Sequence, residues 1–138
     1  MKRRDLIVLG TAGLVFSGLP ARSEPLEYSD GLLQQHLAAG DTVFLDFKAS
    51  WCSTCAAQER VLTKLKADNP EYEAHITFIN VDWDAFGQSD LVKRLRIPRR
   101  STLVVLKGDQ EYGRIVAQTS TAQIQQLMDE ALALGKNG

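Results

Sequence analysis

Two cysteines stand three positions apart in the segment Trp51-Cys52-Ser53-Thr54-Cys55, and the 138-residue chain contains no others. Such a pair can form a structural disulfide, bind a metal or cycle between dithiol and disulfide. A structural disulfide that closes so short a loop would restrict the unfolded chain little. A zinc site needs four ligands, and only His36 and His75 could add imidazole, which leaves copper(I) held by two thiolates as the best metal alternative. Redox chemistry is the favoured interpretation.

The elements on either side of the pair decide how reactive it is. Thr42–Phe47 is β-branched or aromatic and apolar apart from Asp46, which predicts a buried central strand. Between about Ser53 and Lys66 apolar residues recur at helical spacing, so the cysteines lie at the start of a helix. There, free backbone N–H groups and the positive end of the helix dipole stabilise a thiolate at Cys52 and lower its pKa from about 8.5. The disulfide is then easier to reduce than a structural one.

The rest of the chain continues this alternation of strands and helices. A first helix is predicted over residues 32–38, capped by Ser29 and terminated by Gly40. The other predicted elements are a buried strand over Ile76–Val81, a short helix capped by Ser89, a hairpin of Thr102–Leu106 and Glu111–Val116, and a last helix from Ser120 to Leu134 that stops at Gly135. This order predicts a three-layer α/β domain, with a central mixed sheet covered by helices on both faces.

The first 23 residues differ in composition from the rest. Lys2-Arg3-Arg4 precedes an apolar stretch of 14 residues from Leu6 to Leu19, and Ala21-Arg22-Ser23 follows it. This layout predicts a signal peptide over residues 1–23, cleaved near Ser23, and the paired arginines resemble the twin-arginine export signal. The apolar stretch is shorter than the roughly 20 residues that cross a bilayer. A mature domain of residues 24–138 is expected after cleavage.

Composition limits the partners of that domain. The full chain has a net charge of −1, and removing residues 1–23 leaves 12 basic and 16 acidic residues, a net charge of −4. This balance argues against nucleic acid as a partner, because binding to phosphates requires a basic surface. The 115 residues that remain are enough for one domain to close a core without cross-links.

Most of the mature chain, from about Leu26 to Leu134, resembles the thioredoxin family. Residues 47–55, Phe-Lys-Ala-Ser-Trp-Cys-Ser-Thr-Cys, are similar to the family's active-site segment. Asp46 falls where thioredoxins carry a buried acid, and residues 81–82 and 102–107 are similar to the family's third and fourth strands. The resemblance implies a thioredoxin fold.

The resemblance also implies catalytic roles. Cys52, as the more exposed sulfur, would attack the disulfide of a partner, and Cys55 would then release the reduced partner. Asp46 would be the general base for Cys55, because burial in an apolar strand should raise the pKa of its carboxyl. Trp51 would flank the reactive sulfur and contact the partner.

The largest departure from the family pattern lies just before Thr102. Thioredoxins carry a cis-proline there, facing the cysteines, whereas this chain has Ser101. Since a cis bond costs a non-proline residue about 2.5 to 4 kcal/mol, a trans bond is expected between Arg100 and Ser101. Trp51, Arg100, Ser101 and Thr102 are predicted to bind the substrate, with Arg100 adding positive potential if its loop faces the cysteines. Phe78 replaces a lysine that is often found near the buried acid.

These features predict an exported thiol-disulfide oxidoreductase of the bacterial periplasm that reduces disulfides of specific partner proteins through a Cys52/Cys55 cycle. Oxidases of that compartment usually have a large helical insertion, which so short a chain lacks. The protein is expected to be a monomer without a cofactor, and to receive electrons from a membrane thiol donor. Two alternatives stay open: a copper carrier that uses the same two thiolates, and a non-catalytic thioredoxin-like interaction module.

Overall fold

The computed structural model describes residues 24–137, so the predicted signal peptide lies outside the described residues. The strands of its central sheet are β1 (Leu26–Glu27), β2 (Thr42–Lys48), β3 (Thr77–Asp82), β4 (Thr102–Lys107) and β5 (Gln110–Val116), in the order β1-β3-β2-β4-β5. The helices are α1 (Leu32–Ala38), α2 (Ser53–Asp68), α3 (Glu71–His75), α4 (Trp83–Phe86), α5 (Asp90–Leu95) and α6 (Thr121–Lys136). β1, β3 and β2 are parallel, whereas β4 and β5 pair antiparallel.

The central strand β2 separates two apolar layers. Its side chains alternate between the faces of the sheet. Val43, Leu45 and Phe47 are fully buried against residues of α1, α4 and α5. Phe44 packs on the opposite face, with residues of α2, α3 and α6, and Asp46 follows it on that face. The predicted three-layer α/β domain is confirmed. The chain passes from the end of β2 to the start of α2.

Two predicted helix boundaries are wrong. Ser29 does not cap α1, because Gly31 stands at the cap in a left-handed conformation (φ 87°) and the helix begins at Leu32. Gly135 does not end α6, which continues to Lys136. A Cβ at Gly135 would collide with the backbone carbonyl of His75, so this glycine permits close packing of α6 instead of stopping it.

Other boundaries follow the sequence signals. Gly40 adopts φ 87° after α1, and α2 ends at Asp68, with Asn69 as its C-terminal cap. Ser89 accepts a hydrogen bond from the Val92 N–H at the start of α5, and Ser120 accepts one from Gln123 at the start of α6. The sequence did not predict the two-residue strand β1 or the short helices α3 and α4. Within residues 24–137, each helix is too short or too polar to cross a membrane.

Candidate active site

The two cysteines lie at the junction between β2 and α2, as the sequence predicts. Cys52 is the N-terminal cap of α2, and its Sγ accepts a hydrogen bond from the Cys55 backbone N–H at 3.1 Å. Both thiols are free. Both residues are buried, with 4% of Cys52 and 2% of Cys55 exposed, so Cys52 is only slightly the more exposed of the two. Ala49 and Trp83 pack around both and shield them from solvent.

The two thiols differ in acidity. Burial acts to raise the pKa of Cys52, but hydrogen bonds from the Cys55 and Ser101 side chains and from the Cys55 N–H, together with Arg100, lower it to about 7. Burial and the hydrogen bond to Cys52 raise the pKa of Cys55 above its ordinary value. One sulfur is therefore ready to ionise near neutral pH, while the other keeps its proton.

The loop before β4 faces the cysteines and places Ser101 against both sulfurs. The Ser101 Oγ lies 3.2 Å from Cys52 Sγ and 3.1 Å from Cys55 Sγ. Ser101 is fully buried, and its backbone is left-handed with φ 66°. The peptide bond between Arg100 and Ser101 is trans, as predicted. A hydroxyl group thus bridges the dithiol.

Backbone hydrogen bonds hold Ser101 in place. Its N–H donates to the Phe47 carbonyl at 2.7 Å, and its carbonyl accepts from the Ala117 N–H at 2.9 Å. The same carbonyl accepts a hydrogen bond from the Gln58 amide at 3.0 Å. Gln58, which is fully buried on α2, also donates to the Gln118 carbonyl at 2.9 Å. The bridging serine is therefore anchored to β2, to α2 and to the segment after β5.

Asp46 lies buried beneath α2, with 5% of the residue exposed. Its Oδ1 has no hydrogen-bond partner among the described residues. Burial raises the pKa of Asp46 to about 7; Lys48 and Lys66 act against this, and Glu59 adds to it. Asp46 lines a cavity of about 300 Å³, and a Lys48–Glu59 ion pair of 2.7 Å lies on the wall of that cavity. The carboxyl group thus gains and loses a proton near neutral pH.

The exposed rim of the site is formed by Trp51 and Arg100. Trp51 is 58% exposed, and its indole N–H donates to both carboxylate oxygens of Asp84 at 3.0 Å. The Arg100 guanidinium lies 4.6 Å from the centre of the Trp51 ring, within the range of a cation–π contact. Thr102 is fully buried, and its hydroxyl donates to the Arg99 carbonyl at 2.7 Å.

The four residues predicted to bind substrate therefore divide into two pairs. The Trp51 and Arg100 side chains reach the surface, whereas Ser101 and Thr102 face inward. Substrate binding by these residues stays a prediction. Within residues 24–137, no three His, Cys, Asp or Glu side chains cluster closely enough to hold a metal ion.

The family model for thioredoxin matches residues 25–130 of the chain. The chain belongs to the thioredoxin family. It is 32% identical over 78 residues to a thioredoxin H-type of Fagopyrum esculentum, and 30% identical over 87 residues to thioredoxin H2-1 of Oryza sativa subsp. japonica; these matches cover 56% and 63% of this chain. The chain spans only 62% and 59% of the lengths of these two thioredoxins.

Solved thioredoxin structures agree with this assignment. The crystal structure of Trxlp from Edwardsiella tarda EIB202 is 31% identical, with a TM-score of 0.65, and the match covers 75% of this chain and 97% of that one. A thioredoxin from Malassezia sympodialis has a TM-score of 0.61 at 23% identity, covering 81% of this chain and 97% of the other, and supports the fold alone. The predicted thioredoxin fold is thus confirmed.

The positive charge near the buried Asp46 is placed differently from what the resemblance to thioredoxins implies. Phe78 occupies the position where a lysine is often found. The Lys66 ammonium group, from α2, lies 3.9 Å from the centre of the Phe78 ring. Lys48 and Lys66 both lower the Asp46 pKa, so two lysines from other elements supply the positive charge.

Sequence reasoning missed three contributors to the site: Gln58, Asp84 and the Lys48–Glu59 pair. Gln58 could have been found, because it is a polar residue at the same helical face as Leu62, where an apolar side chain is expected. Neither Asp84 nor the ion pair had such a signal. The Trp51–Asp84 contact joins residues 33 positions apart, and the Lys48–Glu59 pair joins two consecutive elements, β2 and α2.

Proposed function

We propose that the protein is an exported thiol-disulfide oxidoreductase that reduces the disulfides of specific periplasmic partner proteins through a Cys52/Cys55 cycle. The free thiol pair at the start of α2, with the Cys52 pKa lowered to about 7 and the Cys55 pKa raised, is the observation that carries this proposal. Thiol exchange needs one ionised sulfur to attack and a second to resolve. Membership of the thioredoxin family supports the same activity.

The proposed cycle has two exchanges. In the first, the Cys52 thiolate attacks one sulfur of the partner's disulfide, the partner's S–S bond breaks, and its second sulfur leaves as a thiolate that takes a proton. In the second, Cys55 loses its proton and attacks Cys52 Sγ, which releases the other partner sulfur. The partner gains two electrons and two protons, and Cys52 and Cys55 become a disulfide.

Asp46 is proposed as the general base for the second exchange. Its carboxyl lies on the sheet face that α2 covers, and its pKa of about 7 suits proton transfer at neutral pH. The cavity beside it offers room for water between the carboxyl group and the Lys48–Glu59 pair. A proton taken up by the Asp46 carboxyl would leave through this cavity.

The partner is proposed to dock over Trp51 and Arg100. The exposed Trp51 ring supplies apolar contact next to the sulfurs, and Arg100 adds positive charge, which favours acidic partner segments. Because Cys52 is 96% buried, the partner disulfide must reach into the site or the rim must open. This requirement favours reduction of a few specific partner proteins over reduction of many different ones.

Residues 1–23 are proposed to direct export to the periplasm. A membrane thiol donor is proposed to return the protein to its dithiol form, and the active protein is proposed to be a monomer. A basic start followed by a short apolar stretch supports secretion. Fractionation of the native host should recover the protein in the periplasmic fraction, shortened by cleavage near Ser23. A full-length protein in the cytoplasmic fraction would contradict export and leave the thiol chemistry intact.

Trapping the mixed disulfide tests the activity. The Cys55→Ser variant cannot complete the second exchange, so it should accumulate adducts with its partners through Cys52, visible on non-reducing gels and lost on reduction. The matched control is the Cys52→Ser/Cys55→Ser variant, which should form none. Free thiols are blocked as soon as the periplasm is extracted. If the Cys55→Ser variant then yields no more adducts than the control, the proposed reductase activity is wrong.

A further inference from the structure

The hydroxyl of Ser101 lies within hydrogen-bond distance of two sulfurs at once. A hydroxyl group has one hydrogen to donate and two lone pairs that accept. It can bond to both sulfurs by donating to one and accepting from the other, or by accepting from two protonated thiols. Cys52 is the sulfur that ionises, and a thiolate can only accept, so Ser101 donates its hydrogen to the Cys52 thiolate, while the single hydrogen of Cys55 points either to Cys52 or to Ser101.

The surrounding backbone fixes this hydroxyl before any substrate arrives. A non-glycine residue with positive φ is uncommon, and Ser101 adopts φ 66°. Three hydrogen bonds stabilise that conformation: from the Ser101 N–H to Phe47, and to the Ser101 carbonyl from Ala117 and Gln58. A proline at this position has neither the N–H that bonds Phe47 nor the hydroxyl that bonds the sulfurs.

We propose that Ser101 is a positioning residue that stabilises the reduced dithiol through its hydroxyl and so makes the Cys52/Cys55 pair more oxidising than it would otherwise be. The inference rests on the proposed thiol-disulfide cycle. A disulfide sulfur carries no charge, so the hydrogen bond from Ser101 is stronger in the reduced form than in the oxidised form. A protein whose reduced form is stabilised holds its electrons more tightly.

Other charges also face the pair, so the effect of Ser101 must be separated from theirs. Arg100 lies on the same loop and lowers the pKa of Cys52. The remaining charged groups near the pair come from β1, β2, α2, the end of β3 and α4: Glu27, Asp46, Lys48, Glu59, Asp82 and Asp84. A Ser101 substitution leaves all of them in place.

The first measurement is the pKa of Cys52 in purified, reduced protein, followed through thiolate absorbance. Ser101→Ala removes the hydroxyl and should raise that pKa by about one pH unit. Ser101→Gly should raise it equally, because it also lacks the hydroxyl while its backbone adopts positive φ freely. The control is Thr42→Val, which removes a buried hydroxyl from the far end of β2 and should leave the Cys52 pKa unchanged.

The second measurement is the equilibrium with glutathione, in which the dithiol and one glutathione disulfide give the protein disulfide and two glutathione thiols. Since only the ionised form gains from Ser101, both variants should match the wild type near pH 5.5 and favour oxidation about twofold at pH 7. At pH 9 the difference should approach tenfold, or about 30 mV.

Three results would overturn the inference. The Cys52 pKa and the potential could stay the same in both Ser101 variants, in which case the hydroxyl only fills space. They could shift with Ser101→Ala and not with Ser101→Gly, which would assign the effect to the backbone. The glutathione difference could also be independent of pH. None of these measurements uses a partner, so their failure is distinct from an absence of trapped adducts.

Discussion

Replacing Asp46 by asparagine should change how the stability of the protein depends on pH. The Asp46 carboxyl is buried, and its pKa is raised from the ordinary value of 3.8 to about 7. Asparagine has a similar shape and no charge. At 1.36 kcal/mol per pKa unit, the difference of roughly three units corresponds to about 4 kcal/mol of the free energy of unfolding at alkaline pH.

The direction of the effect follows from which state binds the proton. Between about pH 4 and pH 7 the unfolded chain has lost the Asp46 proton while the folded protein keeps it. The folded protein binds more protons, so its stability falls as pH rises, by about 1.4 kcal/mol per pH unit. The contribution of the neutral carboxyl is complete below about pH 3.8 and is lost as pH rises through about 7. The Asp46→Asn variant lacks this slope.

Urea denaturation at pH 5, 6, 7 and 8.5 measures the difference between the two proteins. A Cys52→Ser/Cys55→Ser background removes thiol titration, and it alters only the smallest of the named charge contributions to the Asp46 pKa. The advantage of Asp46→Asn over its parent should grow with pH and level off above about pH 7, at about 3 kcal/mol more than its value at pH 5. Asp109→Asn, at the exposed turn between β4 and β5, is the control and should show no such growth. A difference that stays constant with pH would refute an Asp46 pKa near 7.

Two further results are expected. Iodoacetamide should alkylate the reduced wild type first at Cys52, as peptide mapping can determine, and the rate should be half-maximal near pH 7. A rate that becomes half-maximal only near pH 8.5 or above would contradict the lowered Cys52 pKa. Gln58→Met should reduce the free energy of unfolding by about 1 kcal/mol. The variant loses the hydrogen bonds to Ser101 and Gln118, and this loss outweighs the gain from removing the unpartnered Gln58 Oε1. An unchanged free energy of unfolding in urea would contradict this prediction.

Local signals in the sequence were sufficient for the position of the cysteines. The apolar run of β2 and the helical spacing after Ser53 both act over a few residues, so they place Cys52 at a helix start without any knowledge of the rest of the fold. The same applies to the serine caps of α5 and α6. Gly135 shows the limit of such reasoning, because its role depends on the His75 carbonyl of another element.

The contacts of Ser101 could not be predicted from the sequence for the same reason, because they depend on residues of other elements. The sequence predicts the trans bond, since this follows from the cost of a cis bond without proline. It does not predict the direction of the side chain, which depends on a φ of 66° fixed by hydrogen bonds to Phe47, Ala117 and Gln58. The serine hydroxyl thus lies beside both sulfurs, at the position where the resemblance places a proline in thioredoxins.

The charges of the site connect the two exchanges of the proposed cycle. A negative charge on Cys52 raises the pKa of Asp46 and of Cys55. Formation of the mixed disulfide removes that charge, because Cys52 Sγ becomes bonded to the partner. The raising effect of that charge on both pKa values is then lost, which favours ionisation of Cys55 at the stage when it must attack but makes Asp46 a weaker base. Burial remains the largest cause of both raised pKa values and the Cys52 charge is a smaller one, so its loss assists the order of the two exchanges without setting it.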